Sequence, residues 1–283
     1  QDGPAVLTYK FDVFALEPLS RDYIYVDASS GEIVKDYSRI READVAATGT
    51  ALYEGDVSFT ADSFDNNGTT EYRLRQMVQG VETYELNGSS DYGTAVDITN
   101  GTTNFTDSTL HKGVQAHFAT ETTYNYFLNE HALDSYDGNG STLISYLGHP
   151  IGTNAFWNGS FMTYGDGNGT TIGPLVTLDI AGHEIGHGVT EFSSNLVYAY
   201  EPGALNESFS DIYGELVENY GAGPNDWIIG ADANFAIRSM SNPNLYNQPD
   251  TYLGDFWWTS PGDFGGVHFN SGVQNKWFYI LTE

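Results

Sequence analysis

Cysteine is absent from the 283-residue chain. Its absence excludes disulfide cross-links and thiol chemistry, and it leaves metal ions as the cross-links that we expect in a secreted protein. Hydrophobic runs long enough to span a membrane are also absent, so we expect no membrane partner. No signal peptide is present either. Because the chain starts inside a strand-like pattern, we expect that such a segment has been left out of it.

Basic residues are scarce. The chain has 10 lysines and arginines against 38 aspartates and glutamates, which gives a net charge of −28 at pH 7. This balance argues against a nucleic acid partner, whose phosphates need a basic surface. Three interpretations of the acidity stay open, namely a solvated surface, calcium binding, and tolerance of high salt, where screening relieves self-repulsion. We expect a combination of them.

The abundant residues predict a β-rich first half. Hydrophobic residues make up 40% of the chain, which is enough to build a core. Gly, Asn, Asp and Thr dominate residues 54–110, and this composition is typical of short strands and turns. Residues 6–16 alternate between apolar and polar positions, as a strand does. Two further strands are predicted at 23–27 and 32–34, joined by a turn at 28–31.

Two further segments differ in composition from the predicted strands and helices. Residues 36–46 are charged and then small, which predicts an exposed, cleavable linker. Residues 154–170 predict an edge strand followed by Gly-rich turns. Four segments show the apolar spacing of helices: residues 111–133, 178–195, 204–220 and 271–283. The last of them has no C-cap, so we expect the chain to end within a helix.

One short motif carries the chemistry that the sequence predicts. His183 and His187 are four residues apart, so on a helix both imidazoles lie on one face and can bind one metal ion. Glu184, beside the first histidine, can act as a base toward water instead of as a ligand. Glu207 on the next helix can supply a third ligand, which makes the open donor set of a catalytic zinc site. Asp211, one turn further on, can accept a hydrogen bond from a ligand histidine. A lone motif of this kind could also be a solvated helix face, but the downstream carboxylates favour zinc.

Six stretches of the chain together have a family resemblance. They are NAFWNG at 154–159, YGDG at 164–167, HEIGH at 183–187, GALNESFSDIYG at 203–214, RSM at 238–240 and GVHFNSG at 266–272. Through them, residues 47–283 resemble the thermolysin-like neutral zinc metalloendopeptidases, including the secreted elastase-type members. Residues 5–35, with EPLSR at 17–21 and VDA at 26–28, resemble the end of that family's inhibitory pro-region.

The resemblance implies an α+β fold. A β-rich N-terminal lobe would be followed by an α-helical C-terminal lobe, truncated here, with the zinc-binding helix between them and a short antiparallel β remnant of the pro-region in front. We therefore divide the chain into a pro-region remnant and linker (residues 1–46), a β-rich peptidase lobe that includes the zinc helix (47–198), and the start of an incomplete helical lobe (199–283).

Further site residues follow from the resemblance alone. It assigns Tyr198 and His268 to stabilising the oxyanion, with Asp263 orienting His268. The substrate is implied to bind as an extended strand, with an apolar pocket for the residue after the cut. The implied substrate-binding residues are Asn154, Ala155, Trp157 and Arg238, together with Ile180, Ile229 and Ile237 as the lining of the pocket.

Calcium is the second metal that the resemblance implies. The implied ligands are the carboxylates of Asp179, Glu215, Glu218 and Asp226 and the carbonyl of Ile228. Ca²⁺ takes about six to eight oxygen ligands, so this set is adequate. Family members with two calcium ions carry a further acid where this chain has Ala231, so we expect one ion. The alternative is a solvated acidic face.

The residues and the resemblance together predict a secreted, extracellular zinc metalloendopeptidase. It would hydrolyse internal peptide bonds on the N-terminal side of apolar residues, with protein or peptide substrates and its own pro-region as partners, and as a monomer. One alternative is a catalytically silent binding protein on the same fold, which would not need Glu184, Tyr198 and His268. The other is an exopeptidase, for which we find no group that would cap a free substrate terminus.

Overall fold

The structure, a computed structural model, describes residues 6–16, 19–38, 42–224 and 226–283. The strands are β1 (Thr8–Leu16), β2 (Leu19–Asp27), β3 (Ile33–Ser38), β4 (Glu42–Ala51), β5 (Gly55–Asn66), β6 (Thr69–Arg73), β7 (Arg75–Gln76), β8 (Val81–Glu85), β9 (Val96–Asp97), β10 (Thr99–Asn100), β11 (Asn104–Phe105), β12 (Leu143–His149), β13 (Ala155–Trp157), β14 (Met162–Gly165), β15 (Ile228–Ile229) and β16 (Arg238–Ser239). The α-helices are α1 (His111–His131), α2 (Leu178–Phe192), α3 (Tyr200–Ala222), α4 (Asp263–Asn270) and α5 (Gly272–Thr282), and short 3-10 helices lie at Tyr92–Thr94 and Pro243–Tyr246.

The first three strands form a sheet of their own. The order is β1-β2-β3, and both pairings are antiparallel. Asp27 closes the turn after β2, because its Oδ1 accepts hydrogen bonds from the N–H groups of Ser29 (2.7 Å) and Ser30 (3.1 Å). Gly31 follows with a φ of 76°, a conformation that favours glycine. The three predicted strands and the turn between the second and third are confirmed, with β2 and β3 longer than predicted.

The predicted linker is not an irregular segment in its described second half, and its cleavage stays a prediction. Residues 42–46 begin strand β4, which pairs antiparallel with β5 from Glu42–Phe64 to Ala51–Gly55. Local composition indicated an irregular segment, but pairing with β5 holds these residues in an extended strand. Residues 36–38 belong to β3, and residues 39–41 lie outside the described residues.

Two larger sheets build the β-rich lobe. One has the order β10-β6-β5-β4-β11, and the other has the order β13-β14-β12-β8-β7 with β9 paired to β8. In the second sheet, β12 runs parallel to both β8 and β14, whereas β13 is antiparallel to β14 and is the last strand of the described sheet. The predicted edge strand is therefore confirmed. An edge strand presents N–H and C=O groups that an extended peptide can pair with.

Helix α1 holds the two larger sheets together. It packs against β4 and β5 of one sheet and against β8 and β12 of the other. His117 shows how, since its buried ring lies 3.0 Å from Oγ1 of Thr83 through Nδ1 and 2.8 Å from the carbonyl oxygen of Thr60 through Nε2. The hydrophobic core continues from α1 into α2, where Ile180 and Ile185 are buried.

The later half of the chain is mainly helical, as predicted. Helix α3 begins at Tyr200, four residues before the predicted start, and α5 covers Gly272–Thr282 of the predicted 271–283. The predicted α+β fold, with a β-rich N-terminal lobe and a helical C-terminal lobe, is confirmed. Among the described residues, no helix combines the length and the apolar character needed to cross a membrane.

Candidate metal centre and cleft

Helix α2 brings two histidines to one point. His183 and His187 lie one turn apart, and their Nε2 atoms are 3.0 Å from each other. Ile185 and Val189, on the opposite side of the helix, are buried in the core. Burial of the apolar side therefore leaves the histidine side of α2 to face the cleft.

Glycines allow helix α3 to approach α2 closely. A Cβ atom on Gly182 would come within 2.9 Å of Cα of Gly214, and one on Gly186 would come within 3.1 Å of Cα of Ser210. Larger residues at these positions would push the helices apart. The close approach brings the middle of α3 to the histidines.

Glu207 on α3 completes a set of three potential metal ligands. Its Oε1 lies 3.4 Å from Nε2 of His187, and its Oε2 lies 3.6 Å from Nε2 of His183. One ligand atom from each residue lies within 4.8 Å of the other two. Oε2 of Glu207 is buried without a hydrogen-bond partner among the described residues. A buried carboxylate oxygen facing two imidazole nitrogens fits a cation, and this donor set is the one used by catalytic zinc.

A polar side chain holds the second ring nitrogen of each histidine. Nδ1 of His183 lies 2.9 Å from Oδ1 of Asp211, as predicted. Nδ1 of His187 lies 2.7 Å from Oδ1 of Asn206 and 3.1 Å from Oγ of Ser210. With Nδ1 engaged as a donor, Nε2 is free to bind a metal ion. The supporting roles of Asn206 and Ser210 were not predicted, although their positions on α3 near the predicted third ligand were a signal for them.

Asp211 is the centre of a buried network. Its Oδ2 accepts hydrogen bonds from Nε of Arg238 (2.7 Å) and Nδ2 of Asn275 (2.8 Å), and its Oδ1 accepts from Nη2 of Arg238 (2.5 Å). Oδ1 of Asn275 accepts in turn from the hydroxyl of Ser208 (2.6 Å). Burial alone would raise the pKa of Asp211, but Arg238 and His183 hold it well below its usual range. The carboxylate therefore stays charged, and it occupies two of the three nitrogens of Arg238.

The charges around Glu207 keep it ionised. Burial alone would raise the pKa of Glu207, but the charges of His187, His183, His268 and Arg238 lower it to about 2. Burial lowers the pKa of His187, which favours the neutral ring that a metal ion needs. In His183, the hydrogen bond to Asp211 and the charge of Glu207 outweigh burial and raise the pKa.

Glu184 lies beside the two histidines at the floor of the cleft. Its side chain is buried, and its Oε2 accepts a hydrogen bond from the backbone N–H of Trp157 (2.8 Å). Because Trp157 belongs to β13, this bond joins the carboxylate to the edge strand. The cleft has a volume of about 630 Å³, and its lining includes Glu184, Trp157 and all three potential ligands.

Tyr198 and His268 also line the cleft. The hydroxyl of Tyr198 donates a short hydrogen bond to Glu207 and lies 3.1 Å from Nε2 of His268. Asp263 orients His268, since its Oδ1 lies 2.6 Å from Nδ1 and its Oδ2 accepts from the backbone N–H (2.9 Å). The residues between them turn in the left-handed region, where a Cβ atom on Gly266 would come within 2.6 Å of Trp258. The structure thus brings these three predicted residues together.

Some of the predicted substrate-binding residues line the cleft, and others are buried away from it. The cleft lining includes Asn154, Ala155 and Trp157. The three predicted pocket isoleucines are not among the described residues that line it. Ile180 and Ile229 are buried, and Ile237 is half-buried with its N–H donating to the carbonyl of Ile229 (3.0 Å). The apolar side chains pack into the interior, so the predicted pocket is not an open part of this cleft.

Three of the four predicted calcium carboxylates converge. One oxygen each of Glu215, Glu218 and Asp226 lies within 4.8 Å of the other two. Oε2 of Glu218 is buried without a hydrogen-bond partner among the described residues. Burial and the charges of Asp179 and Asp226 raise the pKa of Glu218 to about 8. Crowded, partly buried carboxylates of this kind fit a hard cation such as Ca²⁺.

Asp179 is not one of this group of three, although its charge acts on Glu218, so its place in the predicted set of four stays a prediction. It is buried near the start of α2, where its carboxylate accepts hydrogen bonds from the N–H groups of Ile180 (2.8 Å) and Gly230 (2.6 Å) and from the hydroxyl of Thr177. The predicted carbonyl of Ile228 accepts from the N–H of Ala231 (3.3 Å). These hydrogen bonds, which the spacing of acids in the sequence does not reveal, hold Asp179 at the helix.

Comparison with known proteins identifies the family. Residues 46–191 match the catalytic domain of the thermolysin metallopeptidases, and residues 194–283 match their alpha-helical domain. The chain belongs to the thermolysin metallopeptidase family.

Individual relatives agree with this assignment. The chain is 39% identical over 294 aligned positions to bacillolysin of Brevibacillus brevis, an alignment that covers 100% of this chain and 52% of that protein. It is 35% identical to the thermostable neutral protease NprT of Geobacillus stearothermophilus, with coverages of 100% and 55%. It is also similar to the solved precursor of protealysin, a metalloproteinase from Serratia proteamaculans, with a TM-score of 0.60 and 31% identity over 70% of this chain and 67% of that one. The chain spans about half the length of the curated relatives that it matches.

Proposed function

We propose that the protein is a secreted zinc metalloendopeptidase that hydrolyses internal peptide bonds on the N-terminal side of apolar residues. One observation carries the proposal, namely the convergence of His183, His187 and Glu207 beside Glu184 at the floor of a cleft. Membership of the thermolysin metallopeptidase family supports it.

Each residue of the cleft has a role in this proposal. Zinc on the two histidines and Glu207 would lower the pKa of water and polarise the scissile carbonyl. Glu184 takes a proton from the attacking water and delivers it to the leaving nitrogen. Tyr198 and His268 donate hydrogen bonds to the oxyanion, and Asp263 holds the ring of His268 in place.

The substrate would bind along β13 as an added strand, in contact with Asn154 and Ala155. Arg238 is buried outside the cleft lining, with Nε and Nη2 engaged by Asp211, so its Nη1 would have to become accessible to donate to a substrate carbonyl. The preference for an apolar residue after the cut rests on the three isoleucines near α2, which would have to rearrange to open a pocket.

We further propose that calcium binds to Glu215, Glu218 and Asp226 and that the sheet of β1, β2 and β3 is a remnant of a pro-region. The convergence of the three carboxylates supports the first, and similarity to a solved precursor supports the second. The proposed limits are 1–46 for the remnant and linker, 47–198 for the β-rich lobe and 199–283 for the helical lobe. The protein would act outside the cell as a monomer on protein and peptide substrates.

An internally quenched peptide with a leucine after the scissile bond tests the proposal. We expect cleavage at the internal bond, identified by mass spectrometry, and its loss on addition of a zinc chelator and return with added zinc. Binding of the peptide without cleavage would favour the silent binding protein. Release of terminal residues only would favour an exopeptidase.

A further inference from the structure

Glu191 extends the metal-binding face of α2 by one turn. Positions 183, 187 and 191 follow one another at intervals of four, so they share one face of the helix. Four residues of helix correspond to about 6 Å along its axis. Glu191 lines the cleft together with Ala155 and Trp157, and its side chain is exposed.

The carboxylate of Glu191 is held in place by the indole of Trp157. Nε1 of Trp157 donates a hydrogen bond to Oε2 of Glu191 at 2.9 Å. The indole ring packs edge-on against Tyr136, with the ring centres 4.8 Å apart, and a Cβ atom on Gly188 would come within 3.2 Å of it. A group positioned in this way loses less conformational entropy when it binds a ligand. The indole engages Oε2, and Oε1 has no hydrogen-bond partner among the described residues.

Glu191 also adds an exposed negative charge to the lining of the cleft. The acidic residues in the cleft lining are Glu184, Glu191 and Glu207, of which Glu184 and Glu207 are buried at the metal centre. Neither lysine nor arginine is among the described residues that line it. The chain as a whole carries a net charge of −28, which adds a long-range attraction for positively charged peptides.

We propose that Glu191 is a specificity-determining residue that selects a lysine or arginine side chain in the peptide substrate. The cation would pair with Oε1 of Glu191 while the peptide lies along β13. An extended peptide rises by about 3.3 Å per residue, so the 6 Å from His187 to Glu191 corresponds to two residues of substrate. The selected side chain therefore lies within about three residues of the scissile bond. This inference rests on the proposed peptidase function and adds a substrate class to it.

A set of internally quenched peptides tests the proposal. All share a leucine after the scissile bond, and each carries lysine or norleucine at one of the three positions before that bond or at one of the two positions after the leucine. We expect the zinc-loaded protein to cleave the lysine peptide about fivefold better at one position, the scale of an exposed ion pair. The difference should lie mainly in KM, because the pair forms before the chemical step, and it should shrink in 1 M salt.

Two variants separate the role of Glu191 from that of overall charge. Glu191→Gln keeps an acceptor for the indole but removes the charge, so the lysine preference should fall to about one. Glu130→Gln removes the same charge from an exposed position of α1 that is outside the cleft lining, and it should keep the preference.

The proposal is overturned if no position prefers lysine, if Glu191→Gln keeps the preference, or if Glu130→Gln loses it equally. Cleavage of the norleucine peptides separates the role of Glu191 from the peptidase function itself. If they are cleaved without any lysine preference, only the assignment of Glu191 fails. If zinc-loaded protein cleaves neither peptide, the proposed peptidase function fails with it.

Discussion

The two ligand histidines are supported by groups of different charge. His183 faces the carboxylate of Asp211, whereas His187 faces the amide of Asn206. The opposite directions of their pKa shifts follow from this difference, since the pKa of His183 is raised and that of His187 is lowered. A charged partner makes the ring of His183 the stronger electron donor toward a metal ion.

Glu184→Gln should separate metal binding from catalysis. Glutamine keeps the size of the side chain and can still accept the hydrogen bond from Trp157, but it cannot serve as a base. We expect full zinc content and a turnover at least about a hundredfold lower. Zinc analysis and peptide cleavage on the same sample check both parts. A turnover above about one hundredth of the original value would remove Glu184 from the role of base.

Asn275→Leu should weaken zinc binding although Asn275 is not a ligand. The change leaves an oxygen of Asp211 and the hydroxyl of Ser208 short of a partner in a buried place, which costs about 1–3 kcal/mol. Loss of such supporting contacts weakens metal affinity by about tenfold or more. Competition with a fluorescent zinc chelator measures the change.

Ser208→Ala is the matched control for this prediction, because it removes only the far end of the same hydrogen-bond chain. We expect it to weaken zinc binding less than Asn275→Leu does. Equal zinc affinity in the original protein and in Asn275→Leu would show that the last helix does not support the metal centre.

At the scale of elements, the contact of α2 with α3 decides whether the ligands meet. Gly182→Ala would normally favour a helix by about 1 kcal/mol. Here the new Cβ atom would lie 2.9 Å from the backbone of Gly214, and overpacking of this kind costs about 1–3 kcal/mol. We therefore expect a lower melting temperature and weaker zinc binding, since Glu207 moves with α3.

Gly101→Ala serves as the control for crowding. A Cβ atom there would meet nothing within 4 Å, so this variant should be as stable as the original protein or slightly more stable. If Gly182→Ala melted like Gly101→Ala, the close approach of the two helices would not constrain the fold.

The buried His117, through which α1 contacts both larger sheets, should make the free energy of unfolding depend on pH. Burial lowers the pKa of His117 to about 4, whereas in the unfolded chain it has its usual value of about 6.5. In the unfolded state, His117 therefore binds a proton below about pH 6.5. In the folded state, it binds one only below about pH 4. Stability should be highest above pH 6.5 and fall as the pH drops toward 4, by about 2 kcal/mol at pH 5.

Denaturant unfolding at pH 7.5 and pH 5 checks this prediction, with His117→Gln for comparison. The variant should lose less stability than the original protein over this interval, because the proton uptake of His117 is gone. An unchanged pH dependence in His117→Gln would assign the acid sensitivity to other groups.

At the scale of the whole molecule, calcium should offset part of the repulsion in an acidic chain without disulfides. An ion that binds only the folded state stabilises it by about 2.7 kcal/mol at a hundredfold excess over its dissociation constant. With zinc present throughout, we expect millimolar calcium to raise the melting temperature relative to a calcium-selective chelator.

Glu218→Gln should remove part of this calcium-dependent shift, because it takes one carboxylate out of the converging group. Identical melting curves with and without calcium would show that Glu215, Glu218 and Asp226 are a solvated acidic face.

Much of the metal centre could be predicted from the sequence, for a physical reason. Helical periodicity fixes that residues four apart share a face, so His183 and His187 needed no knowledge of the fold. Strand alternation and turn composition likewise predicted β1 and the turn at residues 28–31. The roles of the site residues, the domain limits, secretion and calcium binding stay predictions.

Only the tertiary structure decided the contacts between segments that are far apart in the chain. Residues 42–46 look like a linker in the sequence, but β5 pairs with them. The resemblance assigns Ile180 and Ile229 to a pocket, and packing buries both of them. Asn275 reaches Asp211 across 64 positions, and no local pattern indicates that contact. By itself the sequence determined which side chains share one face of an element, because backbone geometry sets that spacing. Which faces meet depends on the packing of the whole molecule, and this decided what supports the metal centre.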